Sequence, residues 1–97
     1  MVQIKWLREA KEDLKDIYAY ISKDSEKYAK RQVNRIWERT LILKQQIRSG
    51  KEVEELNRKD VRELIEGPYR IIYRIIDEES VHILMIHHSS RDLFKRK

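Results

Sequence analysis

The sequence predicts an α+β domain in which a helical hairpin packs on one face of a mainly antiparallel, four-stranded sheet, in the order β-α-α-β-β-β. Three observations lead there. From Val61 to Asp92 the chain concentrates its β-branched and aromatic residues and carries two turn signals, Glu66-Gly67-Pro68 and Asp77 to Ser80. From Arg8 to Ser49 apolar residues recur at three- and four-residue steps instead, the period of helices with one buried face. The connections between the last strands are too short for the crossover that parallel strands need, so those strands form an antiparallel meander. A chain of 97 residues makes one domain, spanning 1–97, with a modest core.

Val2 to Leu7 alternates Val2, Ile4 and Trp6 with Gln3 and Lys5 and reads as a half-buried opening strand. From Arg8 the period changes. Ala10, Leu14, Ile17, Tyr18 and Ile21 share one helical face, with Lys11, Asp13, Lys15 and Asp16 turned outward. Ser22 to Ser25 breaks this helix and offers Asp24 or Ser25 as the cap of the next, with Glu26 in its first turn. The second helix is expected to run to Ser49 on the face Ala29, Val33, Ile36, Trp37, Thr40, Leu43 and Ile47, with Gly50 as its stop. Lys51 to Asp60 mixes charges around Val53 and Leu56 and reads as a connector with room for one helical turn. Val61 to Glu66 and Tyr69 to Ile76 are strands. Val81 to Ile86 is apolar at both parities, as expected of a strand in the middle of the sheet.

The charge balance points to an anionic partner. The formal net charge is +5, and between Lys23 and Arg48 eight basic residues face three acidic ones, which equals the whole excess. The basic surface is therefore mostly helical. Without cysteine there is neither a disulfide framework nor a thiolate metal site. No window approaches the roughly 18 apolar residues of a membrane span, so the expectation is a cytoplasmic protein with no membrane association. No Gly-rich phosphate loop, nucleophile elbow or paired-carboxylate motif occurs.

On the Tyr69–Ile76 strand, one face carries Tyr69, Ile71, Tyr73 and Ile75, and the other Arg70, Ile72, Arg74 and Ile76. Arginine suits phosphate or carboxylate because its planar fork donates paired hydrogen bonds. The alternative is a solvated face on which Arg70 and Arg74 pair with Glu63 or Glu66 across the strands. Of the three histidines, His87 and His88 point to opposite faces of an extended chain. His82 and His88 share a parity but lie about 20 Å apart, so no metal site is expected. A histidine at that strand end, beside Ser89, Ser90 and Arg91, could still transfer protons near neutral pH. Trp6, Tyr18 and Trp37 read as core, while Tyr20 and Tyr28 stay open between core and a stacking surface.

Arg62 to Ile75, RELIEGPYRIIYRI, followed by Val81 to Leu93, VHILMIHHSSRDL, resembles the RelE/ParE superfamily of toxins from bacterial type II toxin-antitoxin modules. The motifs are a Tyr-Arg-x-x-Tyr strand, a turn, an apolar strand, and His-x-x-x-Arg-Asp from His87 to Asp92. The resemblance implies a cofactor-free toxin neutralised by a cognate antitoxin that wraps around it, with operator DNA reached only through that complex. Charge complementarity places acidic antitoxin residues against Arg31, Arg35 or Arg39. In the RelE-like branch the toxin cleaves mRNA in the ribosomal A site, and Arg70 and Arg91 match two arginines of that site. Val61 and Glu63 stand where that branch carries catalytic lysines, and the tail lacks its tyrosine. Losing several positive groups from a phosphoryl-transfer site costs orders of magnitude in rate.

The ending HHSSRDL looks instead like the ParE branch, which poisons DNA gyrase. The reading favoured here is thus a gyrase-directed toxin with Arg70, Arg74 and Arg91 as target contacts. The alternative is a ribosome-dependent endoribonuclease with Arg70, Arg91, His87 and His88 as catalytic candidates, where His87, His88 or Glu63 replaces a missing base. A third possibility is a member that has kept only antitoxin binding.

Overall fold

The computed structural model describes residues 1–90 and Leu93. It contains β1 (Gln3–Trp6), α1 (Arg8–Ser22), α2 (Glu26–Arg39), a 3-10 segment (Thr40–Lys44), β2 (Lys51–Glu52), β3 (Val61–Glu66), β4 (Tyr69–Asp77) and β5 (Ser80–His88). The α+β class and the helical hairpin agree with expectation. The sheet has five strands in the order β1-β5-β4-β3-β2, not four. The extra one, β2, is a two-residue strand inside the supposed connector, set by Lys51 opposite Glu63 and Glu52 opposite Arg62. All pairs are antiparallel except β1 with β5. These two can run parallel because the helical hairpin and the meander lie between them in sequence. β5 does sit inside the sheet, between β1 and β4.

The helices cover one face, and the core there gathers Ala10, Ile36, Leu43, Leu64, Ile71, Tyr73, Val81, Ile83 and Ile86, with Ile4, Trp6, Leu14 and Ile17 packed around them. Each such fully buried aliphatic side chain contributes about 1.5–3 kcal/mol. Ser25 caps α2 by accepting from the Tyr28 amide at 3.1 Å. α1 has no side-chain cap at Leu7; its entry is fixed by the sheet, where the Leu7 amide donates to the Ile83 carbonyl at 3.0 Å.

Three helical expectations need correction. α2 ends at Arg39, not Ser49, and tightens into the 3-10 segment, where the Thr40 hydroxyl donates to the Trp37 carbonyl at 2.7 Å. Such a local bond competes with the helical ladder. Trp37 is half exposed, at 49%, because the buried α2 residues are Ala29, Gln32 and Ile36, which lie on a neighbouring stripe. Asp13 faces the sheet and accepts the Ile86 amide at 2.8 Å, occupying the edge of β5 beyond the last residue that β1 pairs.

The face away from the helices is closed in its middle by a second cluster of Val53, Val61, Ile72 and Leu93, bordered by Leu56, Leu84 and Met85. Val53 and Leu56 come from the segment between β2 and β3, which turns through Asn57 at φ 49°. The pairing of β4 with β5 steps from Ile72–Met85 to Tyr73–Ile83, so Leu84 is an extra residue. This bulge breaks the parity that would have aligned His82 with His88, since one inserted residue reverses the side-chain faces beyond it.

Candidate functional site

Arg70 stands near the start of β4, between Ile65 on β3 and His87 on β5. Its side chain is 12% exposed and makes three charge-assisted contacts. Nε donates to Glu63 at 2.5 Å, and Nη1 and Nη2 donate to the two carboxylate oxygens of Glu55 at 2.8 and 2.9 Å. Lys51 Nζ approaches the other side of Glu63 at 3.9 Å. Glu55 comes from the β2–β3 segment, so Arg70 ties that segment to the sheet as Val53 and Leu56 seal beneath it. The hydrogen bonds from Arg70 hold the Glu55 carboxyl down at about 2, and the carboxylates raise the affinity of the guanidinium for its proton. The pairing of Arg70 with Glu63 was one of the two sequence readings of this face. Glu55 was missed; its signal was the Val53–Leu56 spacing, which anchors the residues between them.

Arg74 lies four residues further along the same face, beyond Ile72 and about 13 Å away. Its Nε donates to Asp60 at 3.0 Å, while Arg58 grips the same carboxylate through Nε at 3.0 Å and Nη2 at 2.6 Å. Asp60 is accordingly held below the usual carboxylate range, chiefly by Arg58. Half of the Arg74 side chain is exposed.

His87 is buried at 2% exposure, opposite Arg70 on the same face. His88 turns to the other face, where its ring meets Tyr69 edge-on at 5.5 Å and its Nδ1 accepts the Ser90 amide at 3.2 Å. Arg91 lies outside the described residues. On the helices, Arg31 and Arg35 are exposed, and Arg39 is partly covered and donates to the Ile65 carbonyl at 3.1 Å. Among the described residues no group of three or more His, Cys, Asp or Glu side chains could hold a metal ion.

A site that cleaves RNA without metal needs unengaged cations to hold phosphate as charge develops. Around Arg70 the charge is already balanced by two carboxylates, and three of the five guanidinium donors are committed. The observed arrangement is a closed ion-pair network joining two strands and a segment.

The family model described as the ParE toxin of the type II toxin-antitoxin system, parDE, matches residues 4–93. The chain belongs to the ParE toxin family. Among solved structures, the ParE-family chain resembles one from the chromosomal ParDE TA system from P. aeruginosa, with a TM-score of 0.74 and 28% sequence identity over 91% of this chain and 96% of that chain. None of the curated proteins matches. The ParE branch of the resemblance is thus the one the comparisons support.

The Glu55–Arg70 bond makes a pH prediction for this ParE-family protein. Because the folded carboxyl titrates near 2 against an ordinary value of 4.5, its contribution is fully present above the ordinary value and disappears as pH falls toward 2. Side-chain exposure of 32% weakens the linkage, leaving about 1–3 kcal/mol. Glu55→Gln should therefore lower stability at pH 7 and converge with the parent near pH 2. Urea melts at several pH values check this, and a difference independent of pH would contradict it.

Proposed function

We propose that this ParE-family toxin arrests growth by acting on DNA gyrase in the cytoplasm, without cleaving RNA, and that a cognate antitoxin neutralises it. The observation that carries the reading is the closure of Arg70 by Glu55 and Glu63. Arg70 is the described counterpart of the nuclease-branch arginines, and it has no open fork for a phosphate. Glu63, where that branch carries a lysine, is itself one of the closing groups. On this reading Arg70 shapes the face from beneath, and Arg74 and Arg91 are its target contacts.

The family and the similar ParDE system from P. aeruginosa support an antitoxin partner. The exposed side of α2 and of the 3-10 segment after it suits one: Arg31 and Arg35 are exposed on α2 with Tyr28, which is 49% exposed, and Ile42 on the 3-10 segment is 40% exposed. An amphipathic acidic segment laid there would meet both apolar and cationic groups.

Inducing the chain alone in a bacterium and pulse-labelling DNA and protein synthesis over the following minutes tests the target. DNA synthesis should fall first. A first fall in protein synthesis would transfer the assignment to ribosome-dependent mRNA cleavage, and no fall in either would leave a member that retains only antitoxin binding.

A further inference from the structure

The sheet register assembles a group of basic side chains at the other end of the face that bears Arg70. Lys5 on β1 is directly opposite His82 on β5, and His82 is directly opposite Arg74 on β4. Residues in register on neighbouring strands project to the same side, so these three form a row across the sheet in steps of about 4.8 Å. Nothing in the linear sequence brings Lys5 to Arg74; the parallel pairing of β1 with β5 does.

The row is accessible and partly pre-positioned. Lys5 is exposed and His82 half-buried, and Lys5 has no ion-pair partner among the described residues. Arg74 is held only through Nε by Asp60, which Arg58 also grips. Two guanidiniums on one carboxylate leave a net positive charge, and the two terminal nitrogens of Arg74 donate to no described residue. That contrasts with Arg70, whose fork is closed. Of the acids in the neighbouring turn, Asp77 accepts the Glu79 amide and the Ser80 hydroxyl and Glu78 pairs with Arg48, while the Glu79 carboxylate has no ion-pair partner among the described residues.

We propose that Lys5, His82 and Arg74, with Arg58 behind Asp60, form a binding site for the phosphodiester backbone of DNA. A guanidinium fork, an imidazole and an ammonium in a row supply what phosphate contacts require, namely cations and N–H donors. An acidic protein segment is the poorer match, because protein interfaces gain their energy from buried aromatic or aliphatic anchors, and the row contains none. The site is separate from the exposed arginines of α2 and shares Arg74 with the target contacts proposed above.

The test is fluorescence anisotropy of a labelled random-sequence DNA duplex titrated with the purified chain between about 50 and 200 mM salt. Binding should be in the micromolar range and weaken with salt. Lys5→Glu, and Lys5→Glu with Arg74→Gln, should weaken it by about tenfold or more and lower the salt slope by about one for each phosphate no longer neutralised. Lys27→Glu with Arg35→Glu, a larger charge change on α2, should alter it less than about threefold. Lys5→Glu alone sits on an edge strand and leaves Asp60 untouched, so it remains informative if the double variant unfolds. Equal losses from the sheet and helix variants would overturn the site in favour of diffuse charge attraction. Absence of duplex binding, or displacement of the duplex by a polyglutamate peptide of matched charge that Lys5→Glu equally abolishes, would overturn it as well.

Discussion

Replacing Arg70 with alanine is expected to destabilise the protein by about 3–5 kcal/mol, the range for removing one partner from a buried ion pair. Glu63, 4% exposed, would keep only Lys51 at 3.9 Å, and Glu55 would lose both of its guanidinium bonds. Single domains hold about 5–15 kcal/mol in total, so the variant should be close to unfolding at ordinary temperatures. Removing both ends separates the missing pairing from the stranded charge. Arg70→Met together with Glu63→Leu should recover much of the loss, since an apolar replacement of a buried pair is often nearly neutral. Urea denaturation followed by circular dichroism measures both. A loss under about 1 kcal/mol for Arg70→Ala would mean that the network does not anchor the β2–β3 segment.

The second large effect is expected at Gly50. A Cβ there would lie 2.6 Å from the Glu63 carbonyl oxygen and 2.8 Å from both Cε1 and the hydroxyl of Tyr73, all on buried residues. The same hydroxyl accepts the Gly50 amide at 3.0 Å and donates to the Ile47 carbonyl at 2.8 Å. The Gly50 carbonyl in turn accepts from Arg62 at 2.9 Å. Neither the backbone of β3 nor the Tyr73 ring can yield without disturbing these bonds. Gly50→Ala should therefore cost about 3 kcal/mol, at the upper end of overpacking. Tyr73→Phe, which strands the Gly50 amide and the Ile47 carbonyl, should cost about 1–3 kcal/mol. Because the two changes act on one contact, their sum should exceed the double variant. Additivity in denaturant melts would refute the shared origin.

Most of the framework was legible because it rests on periodicity. Alternation in Gln3 to Trp6 and in Tyr69 to Ile76, and helical spacing from Ala10 to Ile36, follow from one face being buried. What escaped depended on contacts between distant residues. Gly50 read as a helix stop, yet the helix ends at Arg39, and the glycine is required by the approach of Tyr73. Lys51 to Asp60 looked like a connector because charges outnumber apolar residues there. Only the fold shows that Val53 and Leu56 close the second apolar cluster and that Glu55 and Asp60 meet Arg70 and Arg74. The two arginines, equivalent by strand parity, thereby become different residues: one is locked and one is open. The bulge at Leu84 was equally silent, since an extra residue in a run of apolar side chains leaves no mark on the pattern.

The parallel pairing of β1 with β5 also bears on how this toxin is made. Residues 3–6 emerge first from the ribosome, but their partners, residues 80–83, are synthesised last among the paired segments. Until then β1 has no neighbour in the sheet, and the helical hairpin has little to cover. Contacts this far apart in sequence form late and close large loops. The growing chain therefore lacks the strand that joins β1 to the rest of the sheet for most of its translation, and a message cut short before β5 yields a product that holds every member of the Arg70 network but lacks His82, and with it the Lys5–His82–Arg74 row.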